Sequence, residues 1–483
     1  MAEKQNVVLI VMDTARYDAI SPHITPKISD LASKGTSFEN AFSCAPWTLP
    51  SHASLFTGTY PSRHKSSAQY RELDQDLVTM AEIFQNNGYY TKGFSNNVWI
   101  NQSLGFAAGF DDFHHGWQYL QSDNDIAEAA INAEGWDKIM SVLGKMREGN
   151  IVKNLANLSY GLKQKFLTSP DDGAKKTTDE IITWLDDKSN NKPYFLFVNY
   201  LEPHLEYRPP KRYTSEFLPT DVNYEEAMEV PQNAWKFITK QTDISEEEFD
   251  ILKGLYYGEL KYLDMQIGRV IESIKDAGEW EDTILVITGD HGENIGHHGL
   301  MDHQYCLYDT LLHVPLIVQG KELKLNDDST LVQLNDILPT LIDAIDLDTT
   351  NIDDQIQGIS LYDNSENLRD YIFAEYRHPQ PSKQVIEQRV GDPQNIMDEF
   401  NRSLTAVRNK ESKLIIGSDG MKEAYDITKD PKEQNNVYSP SKYGRLEDIL
   451  TEWGGQFSSD KKEESKEMAD DTKERLEDLG YLQ

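Results

Sequence analysis

Cysteine is almost absent from this 483-residue chain, which holds only Cys44 and Cys306. Two thiols cannot build a disulfide framework, and so few suit a reducing compartment. Positive charge is also scarce: 47 Lys and Arg stand against 81 Asp and Glu, a formal net charge of −34. That balance excludes nucleic acid as a default partner, because backbone phosphates are held by an excess of Lys and Arg. It also repels anionic substrates unless a local cation reverses the field. Long apolar runs are missing, since none reaches the ~18 residues of a membrane span. Met1 to Asn6 contain no basic signal-peptide region, and the apolar run Val7 to Met12 stops at Asp13. A soluble, cytoplasmic protein without a membrane span is therefore expected, and no internal repeat is visible. What is present suffices for a core: 38% hydrophobic residues, with 8 Trp and 24 Tyr.

The apolar runs that do occur are short and continuous, as in strands buried on both faces. Val7 to Met12 ends at Asp13, Tyr194 to Tyr200 forms a second run, and Thr283 to Thr288 leads to Asp290. Between them lie helical patterns. Pro26 to Lys34 places Ile28, Leu31 and Ala32 on one face, with Gly35 as its stop. Leu252, Leu255, Tyr256, Leu260, Leu263, Ile267, Ile271 and Ile274 keep an i, i+3/i+4 spacing; Ser245 and Glu248 make a capping box, and Gly278 marks the end. This alternation predicts an α/β fold with a mostly parallel or mixed central sheet between helices. Residues 1–350 are read as the catalytic domain, with a helical insertion at about 120–165. Residues 351–458 are read as a smaller C-terminal α+β subdomain and 459–483 as a charged tail.

In α/β proteins chemistry gathers at the carboxyl ends of strands. Asp13 and Asp290 stand at two such ends, and Asp290-His291-Gly292-Glu293 is followed by His297, His298 and His303. Asp and His together suit Zn²⁺ or Mn²⁺ better than Ca²⁺, which prefers oxygen ligands throughout. From spacing alone, surface or packing histidines are an equal alternative.

The segment Thr48-Leu49-Pro50-Ser51-His52-Ala53-Ser54-Leu55-Phe56-Thr57-Gly58 carries a more specific signal. With Pro203-His204, Tyr207, Pro209-Pro210, Gly299-Leu300, Val314 to Val318, Asp336 to Thr340 and a late Tyr425-Asp426, it resembles the sulfatase family of the alkaline-phosphatase-like superfamily over about residues 6–345. Pro50, Leu55, Thr57 and Gly58 fall in register with the family's nucleophile motif. The resemblance places Thr48 at the nucleophile and His52 at the arginine that orients it.

Sulfatases convert a Cys or Ser at that position to formylglycine, which threonine cannot yield, so no formylglycine is expected here. Cys44 is out of register with the rest of the motif and is read as structural. A threonine nucleophile resembles instead the phosphodiesterase, phosphonate-hydrolase and phosphoglycerol-transferase branches. The resemblance implies one divalent metal ion held by Asp13, Thr48, Asp290 and His291, with Mn²⁺ or Zn²⁺ favoured and Ca²⁺ or Mg²⁺ open; two metals are the lesser alternative, with His297 and His298 as further ligands. It makes His204 the general acid and puts His303 where sulfatases place a lysine that grips the transferred group. Asn96 or Asn97 is read as a donor to the substrate or a turn residue, Glu293 as a carboxylate holding His291 or a turn residue, and Arg16 as part of a surface ion pair ahead of a substrate contact.

The function so implied is hydrolysis of small anionic esters through a covalent threonine intermediate, phosphate or phosphonate slightly ahead of sulfate. A transferase passing the group to a glycan or lipid alcohol and a catalytically silent binding protein are the alternatives. Neither substrate nor oligomeric state is legible.

Overall fold

The computed structural model describes residues 5–116, 173–188, 192–321, 323–326, 328–349, 352, 354–362 and 368–455. The expected helical insertion at 120–165 and the tail at 459–483 lie outside them.

Seven strands form the main sheet: β1 (Asn6–Met12), β2 (Thr36–Ser37), β3 (Tyr90–Ser95), β4 (Asp112–His115), β5 (Tyr194–Tyr200), β6 (Thr283–Gly289) and β7 (Leu316–Gln319), in the order β2-β7-β6-β1-β5-β3-β4. β6, β1, β5, β3 and β4 run parallel, while β7 is antiparallel to both β6 and β2. The sheet is thus mixed, with a parallel centre. Alternate side chains of β1 enter two cores. Val7, Leu9 and Val11 pack with Leu49, Ala53 and Phe56, whereas Val8, Ile10 and Met12 pack with Leu252, Leu255 and Ile267. Burial on both faces is why these strands read as unbroken apolar runs.

The helices that matter are α1 (Pro26–Ala32), α2 (Thr48–Thr57) and the long α3 (Glu246–Asp276). α3 starts at the predicted capping box, where Ser245 Oγ accepts from the Glu248 amide and Glu248 accepts from the Ser245 amide. Gly278, two residues beyond its end, takes φ +73°, the left-handed conformation that stops a helix.

The chain ends in a smaller subdomain with an antiparallel sheet of β8 (Ile372–Tyr376), β9 (Leu404–Arg408), β10 (Ser412–Gly417) and β11 (Lys422–Asp426). Helix α4 (Pro440–Gly455) covers it, with Tyr443, Leu446, Leu450 and Trp453 against Val407, Leu414 and Ala424. Cys44 is buried in the same cluster, and burial pushes its thiol up to about 12. It stays protonated and unreactive there.

Register is what positions the chemistry. Met12 pairs with Gly289 on one side and Tyr200 on the other. The three central strands therefore end level, and Asp13 and Asp290 emerge side by side. Among the described residues no helix is long and apolar enough to cross a membrane.

Candidate active site

Asp13, Asp290 and His291 meet just beyond the ends of β1 and β6. One ligand atom of each lies within 4.8 Å of the others, and all three side chains are fully buried. Backbone contacts aim them. Asp290 Oδ1 accepts from the amides of Thr14 (3.2 Å) and His291 (2.9 Å), which turns Oδ2 inward. His291 Nδ1 donates to the Gly292 carbonyl at 2.9 Å. This fixes the tautomer and leaves the Nε2 lone pair facing Asp290 Oδ2 at 3.4 Å and Asp13 Oδ1 at 3.7 Å.

Thr48 is the first residue of α2, and its Oγ1 lies 3.3 Å from His291 Nε2. All four residues expected to hold a metal are thus brought together. Asp13 Oδ1 and Asp290 Oδ2 are buried with no hydrogen-bond donor. Burial raises the Asp13 carboxyl well above the usual range, with Asp290 adding to the rise, and burial pushes Asp290 up to about 7. Two buried, undersatisfied carboxylates facing an imidazole lone pair fit a divalent cation.

His52, one turn along α2, is fully buried, and burial pushes it down to about 4. Its Nδ1 donates to the Thr48 carbonyl at 3.0 Å and lies 3.4 Å from Asp290 Oδ2, while Nε2 accepts from Asn199 Nδ2 at 3.4 Å. The group that reaches the Thr48 hydroxyl from the amide side is Asn97. Its Nδ2 donates to Asp13 Oδ2 at 2.5 Å and to Thr48 Oγ1 at 3.4 Å. Asn199 Oδ1 at the end of β5 accepts from the Asn97 amide at 3.2 Å and holds that turn.

His303 lies beside this centre, its ring 4.5 Å from that of His291 and 5.0 Å from that of His204. Burial works against its charge, but Asp302 at 2.6 Å and Glu293 at 3.6 Å raise it well above the ordinary value. These two carboxylates thus favour the protonated ring. Burial and the His303 charge push His204 down to about 4. Its Nδ1 donates to the Leu205 carbonyl at 2.5 Å, and burial favours the neutral ring at this residue, which the resemblance makes the general acid.

The remaining histidines of the 291–313 cluster do other work. His297 lies 3.3 Å from Arg16 Nη1, His298 stacks on Tyr308 at 3.8 Å, and His313 stacks on Tyr17 at 4.1 Å. Arg16 makes the expected surface ion pair, with Asp18 at 2.6 Å, the Asp18 side chain being 66% exposed, and it also donates to the Glu293 carbonyl at 3.1 Å. Asp302 and Asn199 escape the sequence reading. Asp302 had a signal, because Asp-His occurs at 302–303 as it does at 290–291; Asn199, inside an apolar strand, had none. Asn96 accepts from Thr177 Oγ1 at 2.8 Å and does not join the centre.

Comparison with known proteins identifies the family and the fold. The family profile described as Sulfatase matches residues 5–347. An arylsulfatase of Clostridium perfringens is 26% identical over 480 residues, covering 92% of this chain and 93% of that protein. Arylsulfatase K of Bos taurus is 24% identical over 471 residues, 89% of this chain and 78% of its own. Among solved structures, a 2-O GAG sulfatase superposes with a TM-score of 0.66 at 19% identity, covering 96% of this chain and 95% of that one. The phosphonate monoester hydrolase of Agrobacterium radiobacter gives 0.64 at 20% identity, covering 94% and 95%.

Proposed function

The chain belongs to the sulfatase family, and from that premise we propose that it hydrolyses small anionic esters with Thr48 as nucleophile, phosphate or phosphonate esters ahead of sulfate. The observation that carries this reading is the position of Thr48 Oγ1, 3.3 Å from His291 Nε2 at the mouth of the Asp13–Asp290–His291 centre. A threonine there cannot become formylglycine, and phosphonate monoester hydrolases share the fold.

Asp13, Thr48, Asp290 and His291 would hold one divalent ion, Mn²⁺ or Zn²⁺ by the chemistry of the donor set. Such an ion supplies a lowered hydroxyl pKa and a counter-charge for the ester's non-bridging oxygens. Asn97 holds Asp13 and the Thr48 hydroxyl in one geometry, and His52 anchors the first turn of α2 against Asp290. Thr48 Oγ1 attacks phosphorus or sulfur, the ester oxygen leaves, and the threonine carries the group. Thr48 gives up a proton and the departing oxygen gains one, so this half-reaction releases an alcohol. His303 presents positive charge to the transferred group. His204 in its neutral form takes the proton of the water that then frees Thr48.

The reading is tested with Mn²⁺- or Zn²⁺-loaded protein and aryl phosphate, phosphodiester, phosphonate and sulfate esters. Thr48→Ala should lose turnover on all of them, and wild type quenched during turnover should gain the mass of the transferred group on the peptide containing Thr48. Retained turnover in Thr48→Ala would remove the covalent route, and clear preference for aryl sulfate would reverse the substrate order.

A further inference from the structure

Glu293 is fully buried, and neither of its carboxylate oxygens receives a hydrogen bond. A carboxylate so placed is costly to bury unless a proton or a cation meets it. His303 Nδ1 is 3.6 Å from Glu293 Oε1 and 2.6 Å from Asp302 Oδ1. One ligand atom of each of the three residues lies within 4.8 Å of the others, and all three are buried.

We propose that Glu293, Asp302 and His303 form a second divalent-cation site, beside the Asp13–Asp290–His291 centre and separate from it. A proton on His303 serves Asp302 but leaves Glu293 at 3.6 Å, beyond a hydrogen bond. An ion among the three meets both carboxylates at once. With metal–ligand bonds of about 2 Å, donors around one ion sit roughly 3–4 Å apart, so small side-chain rotations close the site. Two carboxylates and an imidazole suit Zn²⁺ or Mn²⁺. Asp302 is already oriented as ligands are, its Oδ1 accepting from the His303 amide at 2.7 Å and its Oδ2 from Gln304 Nε2 at 2.9 Å. Arg16 holds the Glu293 carbonyl from behind. Ligation through Nδ1 takes the neutral ring with its proton on Nε2, so His303 still donates to the transferred group, and the ion would supply the positive charge that a protonated His303 supplies without it. Because the rings of His291 and His303 are 4.5 Å apart, the two ions are close neighbours, as in enzymes that work with paired metals.

The test counts metal and needs no substrate. Full-length protein is stripped with chelator, reloaded with Mn²⁺ or, separately, Zn²⁺, gel-filtered and analysed by plasma mass spectrometry. Wild type should retain two equivalents per chain, and Glu293→Gln and Asp302→Asn should each lose one. Mn²⁺-loaded wild type should give a spin-coupled paramagnetic resonance spectrum that collapses to an isolated-ion spectrum in either variant. A wild-type count of one that Asp13→Asn abolishes overturns the proposal, even if a Glu293 or Asp302 variant fails to fold, and so does a count of two that survives both substitutions. Asp13→Asn separates the two centres. A count that falls with Glu293→Gln but not with Asp13→Asn supports this site while sinking the metal assignment under the proposed function.

Discussion

The Asn97 side-chain amide donates to Asp13 at 2.5 Å, and the same nitrogen reaches the Thr48 hydroxyl at 3.4 Å. One residue from the end of β3 thus ties the carboxylate of β1 to the first residue of α2. Partners of this kind typically account for about 10–100-fold in metal affinity or activity. Asn97→Ala is expected to cost activity in that range, with metal binding weakened in parallel when measured by titration. Asn97→Asp should cost more, because it puts another carboxylate against a carboxyl already raised by burial and by Asp290.

Chelation is expected to destabilise the fold as well as silence it. A cation bound by Asp13 and Asp290 in the native state, and not in the unfolded chain, adds about 2.7 kcal/mol at a free concentration 100 times Kd. Melting curves with and without EDTA should differ by a few degrees, and Asp13→Asn should shrink that difference. Equal curves would argue that no metal is bound.

His64 sets an acid limit that has nothing to do with catalysis. It is buried between Ser54 and the Ser66 amide, and burial, with Arg377 adding, pushes it down to about 3. The unfolded chain takes up its proton near pH 6.5, while the folded chain refuses it until about pH 3. The stabilisation is therefore complete above about pH 6.5 and is lost progressively as the pH falls towards 3, by several kcal/mol at most. Urea midpoints measured from pH 7 to pH 4 should fall, and His64→Gln should flatten the slope at some cost in stability at pH 7.

The C-terminal subdomain is fastened through a buried charge cluster. Lys413 on β10 is fully buried and lies 2.7 Å from both Asp309 and Glu433, and Arg408 on β9 reaches Asp309 at 3.1 Å. Removing one partner of a buried pair strands the other charge at a cost of about 3–5 kcal/mol. Lys413→Met should lower the denaturation midpoint accordingly, and adding Asp309→Asn should recover part of the loss. An unchanged midpoint in Lys413→Met would show the cluster to be energetically idle.

Much of the centre could be read along the chain because its members are local events at strand ends. Asp13 follows an unbroken apolar run, Asp290 and His291 follow another, and Thr48 sits in a motif with Pro50, Leu55, Thr57 and Gly58 in register. The long helix from Glu246 was equally legible, since its capping box and apolar spacing both lie within it. His204 shows where reading by position stops. The resemblance assigns a general acid, while burial and the neighbouring His303 favour the neutral ring. Protonation depends on neighbours that the chain brings up from elsewhere.

The sequence by itself determined the class of fold, the carboxylates at the strand ends, the Thr48 to Gly58 motif and the deep excess of negative charge. Those features follow from composition, periodicity and short spacing. Only the tertiary structure decided that Met12 and Gly289 stand level, so that Asp13 and Asp290 share one space. Only there does Asn97 reach the Thr48 hydroxyl, and only there is Glu293 buried with nothing donating to it. Each of these depends on parallel register or on burial, which join residues up to hundreds of positions apart. Spacing along the chain does not encode such distances; packing does.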